Sequence, residues 1–86
     1  MQWTYLVVTK NEPRAEMRVF QIVDHQQAPV LAFSGRRVGN QLFLTLIVEA
    51  DESRAKRIEV LFCKLQMVLS VKVMPKRQDR HELQSK

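Results

Sequence analysis

The side chains best able to do chemistry in this 86-residue chain are few and far apart. His25 and His81 are separated by most of the sequence, and Cys63 has no Cys or His neighbour at the spacing a metal ion needs. No Ser, His and Asp follow one another in a triad order, no carboxylates pair around a plausible cleft, and no glycine-rich run cradles a phosphate. No catalytic residue and no metal ligand is therefore assigned, and the chain is read as a non-enzyme that binds no cofactor of its own. Cys63 follows Phe62 in an apolar stretch and reads as a small buried hydrophobe. Two polar clusters remain. Asn11-Glu12-Pro13-Arg14 has the composition of a helix entry, with Asn11 as a capping side chain and Arg14 solvated in the first turn. Arg36-Arg37, with Lys76-Arg77, is compact enough to grip an acidic protein or a nucleic acid, although a solvated turn is the simpler reading.

The elements that must position these residues follow from periodicity. Trp3 to Thr9 is rich in aromatic and β-branched residues and reads as a strand. From Pro13, Ala15, Val19, Ile22 and Val23 recur at helical spacing, widened by Met17 and Phe20, until Gln26-Gln27-Ala28-Pro29 ends the run. Val30–Ser34 and Leu42–Val48 are strands flanking a connection from Gly35 to Gln41, in which Gly39-Asn40 tolerates positive φ. Asp51-Glu52-Ser53 opens a second helix carrying Ala55, Ile58, Leu61, Phe62 and Leu65 on one face. Leu69, Val71 and Val73 alternate with polar neighbours in a last strand closed by Pro75. Residues 1–75 thus make one domain, and 76–86, with one apolar residue in eleven, read as a polar, disordered tail.

The order strand, helix, strand, strand, helix, strand is the split βαβ pattern of ferredoxin-like folds. It predicts an α+β βαββαβ sandwich, with a four-stranded antiparallel sheet in the order 2-3-1-4 and both helices on one face. The other face is left to water or a partner. Either Trp3, Tyr5 and Val7 or Leu6 and Val8 must point there, together with Phe43 and Ile47. We take Tyr5, Val7, Phe43 and Ile47 as interface candidates and expect a dimer or larger assembly.

Charge and composition narrow the partners. The net charge is +5, with +3 up to Pro75 and +2 in the last eleven residues, so no stripe of positive charge runs along the chain. An RNA-binding ferredoxin-like module would stack bases on central-strand aromatics. Tyr5 and Phe43 supply two, but the basic and aromatic signature of that module is missing, and no nucleic-acid partner is expected. The longest apolar runs hold four residues, against roughly 20 for a membrane span, so no membrane partner is expected either. With one cysteine and no leader-like N-terminus, the expected location is the cytoplasm.

Five stretches, taken together, carry a resemblance. They are Val7-Val8-Thr9-Lys10-Asn11-Glu12, the pair Arg18-Val19, Val48-Glu49-Ala50-Asp51, Lys64-Leu65, and Val68-Leu69-Ser70-Val71-Lys72-Val73. In that spacing the chain resembles the ACT domains of acetolactate synthase (acetohydroxyacid synthase) small subunits, in the short single-domain class, from about Tyr5 to Pro75. The resemblance implies a non-catalytic regulatory subunit that binds and activates the acetolactate synthase catalytic subunit in branched-chain amino-acid biosynthesis. Thiamine diphosphate, Mg and FAD would belong to that catalytic subunit. It also implies a homodimer by side-by-side pairing, with an effector, usually valine, between the first loop of one domain and the start of strand two of its neighbour. Carried onto this chain, those positions are Asn11, Glu12, Pro13, Arg14, Ala28, Pro29 and Val30. Three positions depart from the family pattern: Arg14 follows Pro13 where a glycine is usual, Gln26-Gln27 replaces Arg-Gly, and Pro29 replaces Asn. These changes predict weak or absent valine binding with activation retained. A stand-alone ACT-type amino-acid-sensing or protein-interaction module of another pathway is the alternative, with a ferredoxin-like RNA-binding module ranked below it.

Overall fold

A computed structural model describes residues 1–76 of the chain. The elements are β1 (Gln2–Lys10), α1 (Ala15–His25), β2 (Val30–Val38), β3 (Gln41–Glu49), α2 (Glu52–Cys63) and β4 (Val68–Lys76). All strand pairs are antiparallel and the sheet order is β2-β3-β1-β4. This is the ferredoxin-like βαββαβ sandwich that the periodicities predict.

Both helices bury one narrow face. In α1, Ala15, Val19 and Val23 recur every four residues and are buried. In α2 the buried set is Ala55, Ile58 and Phe62. They meet Leu42, Leu44, Leu46 and Val48, the even positions of β3, all at most 1% exposed. At about 25 cal/mol per Å2 of apolar area removed from water, each of these side chains contributes on the order of 1.5–3 kcal/mol. The Asp51 carboxylate caps α2 by accepting from the Arg54 backbone N–H at 2.7 Å.

Three boundaries differ from expectation. Helix α1 begins at Ala15, not at Pro13, because Glu12-Pro13-Arg14-Ala15 closes a turn, with the Ala15 N–H donating to the Glu12 carbonyl at 3.2 Å. Pro13 presets the second residue of that turn, and Arg14, at φ 67° and ψ 10°, has the geometry of the third residue of a type II turn. Strand β2 continues through Gly35-Arg36-Arg37 to Val38, so the hairpin connection shrinks to Gly39-Asn40, where Gly39 takes φ 60°. Strand β4 runs past Pro75 to Lys76, which is compatible with proline because β4 is an edge. The remainder of the expected disordered tail lies outside the described residues.

The choice of buried face on β1 is a further correction. Tyr5 and Val7, taken as interface candidates, are 0% and 1% exposed and belong to the core. Leu6 and Val8 face the uncovered side instead. The phenol decides between two apolar phases of similar length. Tyr5 packs edge-to-face on Phe62 with ring centroids 5.4 Å apart, and its hydroxyl donates to the Ala55 carbonyl of α2 at 2.8 Å. Only the helix layer supplies such an acceptor to a buried hydroxyl.

Candidate functional site: the α1–β2 edge

The chain's unusual local geometry gathers around α1. Its two non-glycine residues with positive φ among those described flank this helix: Arg14 before it and Gln27, at φ 56°, after it. The C-terminal end forms a Schellman motif, with the Gln27 N–H donating to the Asp24 carbonyl at 2.9 Å and the Ala28 N–H to the Val23 carbonyl at 3.3 Å. Arg14 and Gln27 thus hold left-handed geometry that glycine adopts freely, at the two places where the family resemblance implies glycine.

Asn11 does not cap α1. Its side chain is held away from the helix by Arg37, whose Nε donates to Asn11 Oδ1 at 2.8 Å, and by its own Nδ2, which donates to the Gly39 carbonyl at 3.5 Å. The same guanidinium reaches Glu16 Oε2 at 3.1 Å. Arg37, read from the sequence as a solvated turn residue, is therefore a strap joining β2, the first loop and the first turn of α1. Nothing in the local sequence signals this role, since it depends on β2 extending four residues beyond Ser34, to Val38.

Of the effector candidates, Asn11, Glu12, Pro13 and Arg14 lie exposed at the N-terminal end of α1. Ala28, Pro29 and Val30 lie at its other end, with Ala28 buried at 5% exposure and Pro29 exposed. The eleven-residue helix keeps the groups about 16 Å apart. One copy of the chain does not bring them together. Of the interface candidates, Phe43 is 37% exposed and Ile47 half-buried, both on the uncovered sheet face.

A groove that sequence reasoning did not single out lies along α1. Its volume is about 710 Å3, and Arg14, Met17, Phe20, Gln21, Asp24 and Phe33 are among the lining residues. Phe20 and Phe33 meet edge-to-face at 5.6 Å across it, yet Met17, Phe20 and Phe33 remain 56%, 42% and 40% exposed. Beside the groove runs β2, exposed along nearly all of its nine residues, with one edge unpaired. An apolar patch beside an open strand edge is an association surface. The signal in the sequence was the width of the α1 stripe: Met17 and Phe20 fall outside the face that Ala15, Val19 and Val23 bury.

Cys63 ends α2 and is exposed, contrary to the buried position expected of it, because it follows the buried Phe62 on the turn that faces solvent. Among the described residues no three His, Cys, Asp or Glu side chains converge as metal ligands, and no helix is long and apolar enough to cross a membrane.

No family model matches the sequence, and no curated protein sequence does. Solved structures do match the fold. The ACT domain of the GTP pyrophosphokinase of Chlorobium tepidum superposes with a TM-score of 0.75 at 9% identity, covering 86% of this chain and 97% of that one. An uncharacterized protein from Thermotoga maritima gives 0.73 at 16% identity, covering 88% and 96%. A formyltetrahydrofolate deformylase from Pseudomonas putida gives 0.75 at 7% identity, covering 88% of this chain and 29% of that enzyme. The chain thus has the ferredoxin-like fold in the form seen in ACT domains.

Proposed function

We propose that this chain is a non-catalytic regulatory module of the ACT type, and specifically the small subunit that activates acetolactate synthase by docking on its catalytic subunit. The observation that carries the reading is the apolar α1–β2 groove beside an unpaired strand edge, in a chain with the ACT-domain fold. The five sequence stretches that resemble acetolactate synthase small subunits support the finer assignment. The groove's charged lining is mixed, with Arg14 and Glu16 together at one end and Asp24 at the other, so its apolar residues Met17, Phe20 and Phe33 are what an antiparallel copy of α1 would cover. Pairing of β2 with β2 then continues the sheet across the homodimer. It also brings the first loop of one copy toward Ala28-Pro29-Val30 of the other, completing what a single chain leaves open.

Valine binding in that pocket is weak or absent. Arg14 carries a long side chain where glycine would let a ligand approach the backbone, and Pro29 offers no side-chain donor or acceptor. Thiamine diphosphate, Mg and FAD belong to the catalytic partner. The test is to mix the chain with an acetolactate synthase catalytic subunit and measure turnover with and without valine. The expected outcome is activation insensitive to valine, and calorimetric titration of the chain alone detects no micromolar site. Co-purification with a different enzyme, without effect on acetolactate synthase, would instead support the stand-alone module. The likeness to the ACT domain of a GTP pyrophosphokinase keeps that second reading open.

A further inference from the structure

The uncovered sheet face carries an ordered distribution of charge that the α1–β2 groove does not. Strand register sets Val8 of β1 across from Phe43 of β3, Leu6 across from Thr45 and Thr4 across from Ile47, so four apolar side chains and two threonines occupy its centre. Arg36 lies directly across from Phe43 on one edge, and Lys72 directly across from Leu6 on the other. Lys10 stands at one end of β1 on this face, and Lys76 pairs with Gln2 at the opposite end. All four cations are exposed, and none takes part in an ion pair among the described residues. The acidic side chain at this face's margin, Glu49, is paired with the Met1 ammonium. A largely apolar centre is therefore ringed by four positive charges without an ion-pair partner among the described residues.

Four strands at about 4.8 Å spacing and nine residues at about 3.3 Å rise give a face of roughly 19 by 30 Å, enough for one amphipathic helix of about five turns. A second copy packed face to face would oppose the two rings of like charge, which is costly when desolvated. RNA is a poorer fit as well, because Phe43 is the one aromatic ring here and the aliphatic Leu6, Val8 and Ile47 offer no stacking surface. We propose that this face docks an acidic amphipathic segment of the catalytic subunit, with apolar side chains seated on Leu6, Val8, Phe43 and Ile47 and carboxylates meeting Lys10, Arg36, Lys72 and Lys76. The inference rests on the proposed acetolactate synthase reading and names the chemistry of the partner's surface.

The experiment measures association of the full chain with an acetolactate synthase catalytic subunit at low and high salt. The variants are Arg36→Glu/Lys72→Glu on the sheet face and the charge-matched Lys56→Glu/Arg57→Glu on α2. The wild-type on-rate should fall at least about tenfold between about 0.05 M and about 0.5 M salt, and the sheet-face variant should associate at least about tenfold more slowly at low salt. The α2 variant should keep the wild-type rate to within about threefold, which separates the face from net charge. Circular dichroism and light scattering confirm that each variant keeps its fold and oligomeric state. Normal binding by the sheet-face variant overturns this inference and leaves the proposed function standing. Failure of the wild-type chain to bind overturns both. Charge-dependent capture of a single-stranded RNA oligomer or of anionic vesicles, with none of the catalytic subunit, also overturns it.

Discussion

Arg14 and Gln27 hold a backbone geometry that costs an L-residue with a side chain about 1–2 kcal/mol relative to right-handed helix. Glycine removes that cost but gains freedom in the unfolded chain, so Arg14→Gly and Gln27→Gly should each stabilise the domain by a net of about 0.5–1 kcal/mol. For a domain of this size that is a rise in melting temperature of roughly 2–8 °C, read by thermal circular dichroism. The two sites lie at opposite ends of α1, so the gains should add. Tyr5 ties stability to pH. Burial pushes its phenol up to about 12 from an ordinary 10, with the Glu59 carboxylate adding to the rise. The folded state keeps the proton after the unfolded chain has lost it. The stability from this group is therefore complete below about pH 10 and declines as pH rises toward and through about 12. Tyr5→Phe should flatten that part of the alkaline unfolding curve. At neutral pH it should cost about 1–2 kcal/mol in urea unfolding, because the Ala55 carbonyl loses its buried donor.

At the scale of elements, α1 does two jobs with two stripes. Ala15, Val19 and Val23 are committed to the core, while Met17 and Phe20 turn outward and with Phe33 form the groove. Phe20→Glu leaves the core stripe intact, so helicity should persist while the dissociation constant of the proposed homodimer rises by at least about 100-fold, read by sedimentation. A Phe20→Glu protein that stays dimeric would place the pairing surface elsewhere. Element order and type were legible in the sequence because helix and strand periods are local properties of the chain. Element ends were less so. The apolar run of β2 stops at Ser34, yet the strand continues to Val38, because β3 offers a paired backbone there and Arg37 gains Asn11 and Glu16 as partners. Helix α1 starts late because Pro13 makes a turn before it permits a helix.

Across the whole molecule, two surfaces stay outside the single core: the α1–β2 edge, the proposed homodimer surface, and the basic-rimmed sheet face, the proposed docking surface for an acidic partner. Separate surfaces let self-pairing and docking be broken independently, as the Phe20 and Arg36/Lys72 variants would do. The number, order and kind of elements, and hence the two-layer sandwich, follow from periodicity and turn residues along the chain. Sequence by itself did not determine which phase of β1 is buried, because Tyr5-Val7 and Leu6-Val8 are both apolar and a period of two cannot choose between equals. Only packing settled that, when α2 presented the Ala55 carbonyl and the Phe62 ring to Tyr5. The same packing left Leu6, Val8, Phe43 and Ile47 on the uncovered face together with Thr4 and Thr45, and set four distant cations around them.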